Sequence, residues 1–157
     1  MTFRFREWGV LTDGTIDLTV QEREPADPGR HRVPCYHFRI SRHRDGTSVG
    51  SIALRVGRVD EHPDLRTSGQ VGYRIDEAYR GHGYAGRACR LLRPVALAHG
   101  LSRLTITCDP TNRASRRTLD RIGAELIGEF PIPPHHPMYQ DGRRSVLRFE
   151  WSLGAAS

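Results

Sequence analysis

The sequence contains no lysine: among its 157 residues all 24 Lys/Arg positions are arginine, set against 18 acidic residues for a formal charge of +6. Without lysine there is no phosphate-binding Walker loop, and the dinucleotide spacing G-x-G-x-x-G is missing as well, which argues against nucleoside triphosphate and nicotinamide cofactors. The positive charge favours an anionic partner, yet the arginines are scattered, without the clustered basic face and aromatic platform that nucleic-acid binding needs. We read the all-arginine composition as codon usage. Cysteine is scarce too. Cys35, Cys89 and Cys108 are odd in number and far apart, with no C-x-x-C pair, so neither a disulfide framework nor a zinc knuckle is indicated, and each reads as a small buried hydrophobe. No apolar run approaches membrane-spanning length, and residues 1–7 lack the apolar core and cleavage site of a secretory signal. The expectation is one soluble cytoplasmic domain, residues 1–157, with no membrane and no nucleic-acid partner.

Periodicity supplies the elements. Alternation of apolar and polar residues predicts strands over 15–20, 36–41, 49–56 and 69–75, with Asp45-Gly46 as a hairpin turn and 57–68 as a surface loop. The pattern then changes. Ala85, Ala88, Cys89, Leu92, Val95 and Ala96 recur at steps of three and four, which predicts a helix over 84–99 that Pro94 must bend or shorten and Gly100 stops. A strand over 101–108 follows, then a helix capped by Asp109 or Thr111 and ended by Gly123. Strands over 124–130 and 144–153 close the chain around a Pro-His loop. This order predicts an α+β fold, a mixed and mostly antiparallel central sheet of six to seven strands flanked by helices, with a parallel contact where the strand-helix-strand unit closes.

The segment carrying most chemistry is Arg80-Gly81-His82-Gly83-Tyr84-Ala85, between a strand and an amphipathic helix. Backbone N–H groups at such a helix start converge with the helix dipole into an anion site, glycine lets the main chain approach, and arginine adds charge-assisted bonds. Downstream, Asn112 and Ser115 are spaced to share one face of the next helix with Leu119.

Here the chain resembles the GCN5-related N-acetyltransferase (GNAT) superfamily, whose cofactor motif Q/R-x-x-G-x-G/A is matched by Arg80, Gly83 and Ala85. The family's later Asn, small residue and Gly are matched by Asn112, Ser115 and Gly123. The match is best over residues 49–130. The resemblance implies acetyl-CoA or another acyl-CoA as acyl donor and no metal. It also implies a sheet splayed between its fourth and fifth strands, with the pantetheine arm pairing along Tyr73 to Asp76. The pyrophosphate would lie on residues 80–85, and the thioester near Asn112 and Ser115. It further implies direct attack of an amine on the thioester in a ternary complex, aided by a backbone N–H near Ile75.

Leu119 departs from the pattern, since many relatives carry there a tyrosine that protonates the departing thiolate. Ser115 is the candidate replacement, its alternative role being a hydroxyl bonded to its own helix. Asp109 and Tyr73 complete the catalytic candidates, Tyr73 with Gln70 as holders of a relay water. Asp76, Glu77, Glu125, His135 and His136 are the remaining candidates for the base. Cys108 as nucleophile of a ping-pong reaction is the disfavoured alternative.

Family members usually insert two helices between the first two strands, where this chain has a short proline-containing loop over 23–34. The acceptor pocket is therefore expected from that loop, 57–69 and 131–143, or from a second subunit, since a proline-stiffened segment suits a dimer contact equally. The acceptor is read as a small-molecule amine, with a protein N-terminus or lysine and an acyl carrier protein as alternatives. A silent acyl-CoA sensor and a basic nucleic-acid binder are readings from other classes.

Overall fold

The computed structural model describes residues 2–154. Five strands, β1 Leu11–Thr12, β2 Ile16–Glu24, β3 Cys35–Arg42, β4 Ser48–Arg55 and β5 Val71–Ile75, form an antiparallel sheet in chain order. Strand alternation sends Ile16, Leu18, Tyr36, Phe38, Ile40, Ile52 and Leu54 to one face, all essentially without solvent contact. Helices α2 Tyr84–Leu91 and α3 Arg93–Ala98 lay Ala88, Cys89, Leu92, Val95 and Ala96 on that face. The single helix expected over 84–99 is broken in two. Pro94 sits in the first turn of α3, where a missing N–H forfeits no bond, and Leu92 closes α2 by donating to Ala88 O at 3.2 Å and Cys89 O at 3.1 Å.

The remaining strands, β6 Arg103–Cys108, β7 Glu125–Pro131 and β8 Ser145–Ser152, make a second antiparallel sheet in the order β6-β8-β7. Helix α4 Arg113–Arg121 links β6 to β7 and buries Ser115 and Leu119. One apolar cluster runs through both sheets, from Ile16 and Phe38 to Leu104, Ile106, Phe149 and Trp151. Two short helices stand where loops were expected. Helix α1 Leu65–Ser68 buries Leu65 and Thr67, and α5 Pro137–Gln140 begins where His136 Nδ1 accepts the Met138 N–H at 3.1 Å, just before Pro137.

The two sheets meet between β5 and β6 without a ladder. The expected parallel contact shrinks to one end, where Gln70 N–H donates to Thr105 O at 2.7 Å and Gln70 Oε1 accepts the Thr105 N–H at 2.6 Å. The Gln70 amide also donates to Gly57 O at 2.7 Å, so a 2% exposed polar side chain is fully engaged. Beyond it the strands separate. Arg55 N–H donates to Gln70 O and Asp76 N–H to Val49 O, so antiparallel alternation turns the backbone groups of Tyr73 and Ile75 away from β4 and into the gap.

Candidate active site

The loop 80–83 bends sharply before α2 because Gly81 and Gly83 adopt φ of 88° and 75°, a left-handed conformation that other residues take only under strain. A Cβ at either position would touch nothing within 4 Å, so conformation rather than room requires glycine. Arg80 Nε donates to Ile75 O at 2.9 Å, folding its guanidinium back over the strand end. Together these residues border a cleft of about 810 Å³, which Tyr73, Ile75, Tyr84, Ala85, Asn112 and Ser115 also line. Arg74, Arg80, Arg117 and Arg121 add four guanidinium groups, and among the described residues no carboxylate lines it. A cleft with a helix start and four uncompensated cations suits a polyanionic ligand of cofactor size. His82 stays exposed, outside the lining, with its ring 5.4 Å from that of Tyr84.

Across the gap, the Tyr73 hydroxyl lies 2.6 Å from Ser115 Oγ. Ser115 is placed by α4, whose N-cap is Asn112, not Asp109 or Thr111 as expected, and Asn112 Oδ1 accepts the Ser115 N–H at 3.0 Å. Asp109 is unavailable as a cap because its Oδ1 accepts from both the hydroxyl and the N–H of Thr111, at 2.6 and 2.9 Å. Burial pushes the Tyr73 phenol well above its ordinary pKa, so it stays protonated and can act as a donor.

Tyr73, Asn112 and Ser115 also line a second cavity of about 540 Å³, so these three residues form the partition between the two spaces. The second cavity draws Ser68 from the region 57–69 and His136, Met138 and Arg143 from 131–143, two of the three segments from which an acceptor pocket was expected, and nothing from 23–34. It also takes Arg55 of β4 and Gly72 of β5, which alternate with core residues and so face away from α2. Arg55 was not a candidate: an arginine at a strand end carries no local signal of a pocket formed by partners more than a dozen residues away.

Several expected candidates lie elsewhere. Leu119, which shares a helix with Ser115, turns into the core at 0% exposure, so the site is not a vacancy awaiting a tyrosine. Asp76 and Glu77 are exposed outside both cavities, and Glu125 lies on β7 across from Glu150. His135 is exposed and bonded to Asp64 at 2.9 Å. His136 lines the second cavity, but its Nδ1 accepts the Met138 N–H, so the neutral ring carries its proton on Nε2 and offers a donor rather than a base. Among the described residues Asp109 is the sole carboxylate lining that cavity; the Thr111 hydroxyl, then its N–H, hold its carboxyl below the usual range, and Arg143 Nε stands 3.8 Å away. Burial raises the Cys108 thiol, which opposes a nucleophilic role. Gln70 is bonded at both ends of its amide to the sheet junction and lines neither cavity, so it does not hold a relay water there. Glu24, Cys35 and His37 bring ligand-type atoms within 4.8 Å of one another, but His37 and Arg32 occupy the Glu24 carboxylate and burial pushes the Cys35 thiol up to about 11.

A splayed pair of sheets, an anion-binding helix start beside the gap and a second cavity across a shared partition define a two-substrate transferase. The family model described as acetyltransferase (GNAT) domain matches residues 4–125, and the chain belongs to that family. It is therefore an acetyltransferase domain with acyl-CoA as donor. Among curated proteins none matches. Solved structures with the same fold include the ribosomal alpha-N-protein acetyltransferase RimL, at 16% identity over 94% of this chain and 100% of the other with a TM-score of 0.66. Another is the ribosomal-protein-S5-alanine acetyltransferase from Vibrio fischeri, at 20% identity over 76% and 62% with a TM-score of 0.58. A third is the microcin C7 self-immunity acetyltransferase in complex with acetyl-CoA and AMP, at 16% identity over 75% and 61% with a TM-score of 0.58. The chain thus spans less than two thirds of the latter two.

Proposed function

We propose that this chain is an N-acetyltransferase that acylates the primary amine of a small molecule by direct attack in a ternary complex. The observation that carries the reading is the partition: Tyr73, Asn112 and Ser115 border both the large cationic cleft and the smaller cavity. The donor supplies an activated acyl group whose leaving group is a thiolate. In this reading Arg74, Arg80, Arg117 and Arg121 and the N–H groups at the start of α2 hold its phosphates, while the inward N–H groups of Tyr73 and Ile75 orient its arm and acyl oxygen. The amine enters from the second cavity. The ammonium first sheds a proton to solvent; the freed lone pair forms the C–N bond as the C–S bond breaks, the nitrogen loses its second proton to solvent, and the Tyr73–Ser115 hydroxyl pair gives one proton to sulfur and regains one from solvent. Tyr73 thereby replaces, from the facing strand, the acid that position 119 lacks. A donor drawn from metabolic acyl-CoA agrees with a cytoplasmic location.

A protein N-terminus as acceptor is the second reading, supported by the names of two of the similar structures. The test is calorimetric titration of acetyl-CoA, followed by an assay of free-CoA release with amines. Saturable binding and amine-dependent release are expected. Absence of binding by every acyl-CoA tried would overturn the reading.

A further inference from the structure

The second cavity is biased in charge. Two guanidinium groups, Arg55 and Arg143, face a single carboxylate, Asp109. Arg143 stands against that carboxylate, whereas Arg55 has no acidic partner among the described residues. Its Nη1 donates to Ser68 O at 3.5 Å and Gly69 O at 3.2 Å, leaving Nε and Nη2 without a described protein acceptor. Half-buried guanidinium edges without an anion are unfavourable unless a ligand completes them, and their planar fork matches a carboxylate in geometry. His136 reinforces the bias. It is 5% exposed, burial lowers its pKa so that it stays neutral, and its Nδ1 is occupied by the Met138 N–H, so Nε2–H is the group left for a ligand. The same cavity reaches the Tyr73–Ser115 partition, so one molecule spans from the cationic wall to the reaction position.

We infer that the acceptor is an amino acid-like molecule whose carboxylate is held by Arg55, Arg143 and the His136 Nε2–H while its amine points at the partition. This rests on the acyltransfer reading above and narrows its substrate class. A peptide N-terminus offers the amine but has its neighbouring carboxyl tied up as an amide, so it leaves the cationic wall unmatched.

The test measures free-CoA release from acetyl-CoA with a panel of L-amino acids and the corresponding amino acid amides, with acetyl-CoA affinity read by calorimetry on the same samples. The expected result is a kcat/KM higher for acids by on the order of 10- to 100-fold, the scale of charged hydrogen bonds. Arg55→Gln should lower turnover of acids far more than that of amides, removing most of the preference, while acetyl-CoA affinity, set in the cleft that Arg55 does not line, is retained. Arg143→Gln provides the same reading should Arg55→Gln fail to fold. Equal use of acids and amides, better use of a peptide N-terminus, or preference for O-phosphoethanolamine over every carboxylate would each overturn the assignment. Acetyl-CoA binding without turnover of any amino acid would overturn this inference alone, whereas absent acetyl-CoA binding would fell the donor reading beneath it.

Discussion

The two spaces that meet at Tyr73 and Ser115 are built in opposite ways. The larger cleft, the proposed donor site, is mostly one continuous segment, residues 73–85, closed by α4, and beside its four arginines it offers backbone features: two left-handed glycines, a helix start and an unpaired strand edge. The second cavity, the proposed acceptor site, collects residues from β4, α1, β5, β6, α4, the region around α5 and the turn before β8. Backbone recognition is written in a few adjacent residues and reads the same way in any sequence that keeps them. Side-chain recognition assembled from distant segments is free to change with one substitution, so the two halves of the reaction are expected to fail independently.

The sharpest break in that contrast is Gly83→Val. A β-branched residue at φ of 75° distorts the loop, and acetyl-CoA affinity should fall on the order of 100-fold by calorimetry while acceptor selectivity is preserved in any residual turnover. Next come Tyr73→Phe and Ser115→Ala, each expected to lower kcat by about 10- to 100-fold, with the double variant no worse than the worse single one because the two share a bond. Full additivity in the cycle would show that they act separately. Leu119→Tyr should not raise kcat, and it should destabilise the fold by about 1–3 kcal/mol in urea titration, since a larger ring is forced into a filled core. A gain in kcat would restore the family's usual acid at that position. Asn112→Ala, which removes the α4 cap, should cost about 1 kcal/mol in the same titration. The smallest effect is expected from Asp109→Asn. A carboxyl whose pKa is lowered contributes stability above its unfolded pKa and loses it only as pH falls through the lower folded value, so its charge is constant across about pH 6–9. The rise of kcat/KM with pH should therefore follow the acceptor's own ammonium and persist in that variant. A pH profile flattened by Asp109→Asn would identify it as the base.

The same contrast explains what could be read from sequence. Seven expected strands recur with boundaries shifted by a few residues, the exception being β2, which runs on through Glu24; the two-residue β1 was too short to leave a period. Arg80, Gly83 and Ala85 fall within six residues, so their shared loop and helix start are legible in sequence, and Asn112 with Ser115 shares one helical turn. The cap was misplaced by a few residues because Asp109, Thr111 and Asn112 all have capping chemistry, and only the folded chain reveals that Asp109 is spent on Thr111. The helices α1 and α5 went unread since four residues hold no periodicity. Arg55 went unread because its importance comes from which segments surround it, and its own neighbours in sequence describe only an ordinary strand.

Gln70 closes one end of the gap, and the consequence is a shared length. In chain order Gln70 joins the sheets just before β5, Tyr73 stands at the partition three residue steps on, about 10 Å along the strand, and Ile75 lies at the cationic cleft. In the proposed reading donor and acceptor approach Tyr73 from opposite sides and meet at the partition. In that reading each carbon added to the acyl chain takes space at the partition from the amine. Measured across donors from acetyl to butyryl, the largest acceptor turned over should shrink as the acyl group grows, so that the two specificities of this chain are one quantity divided in two.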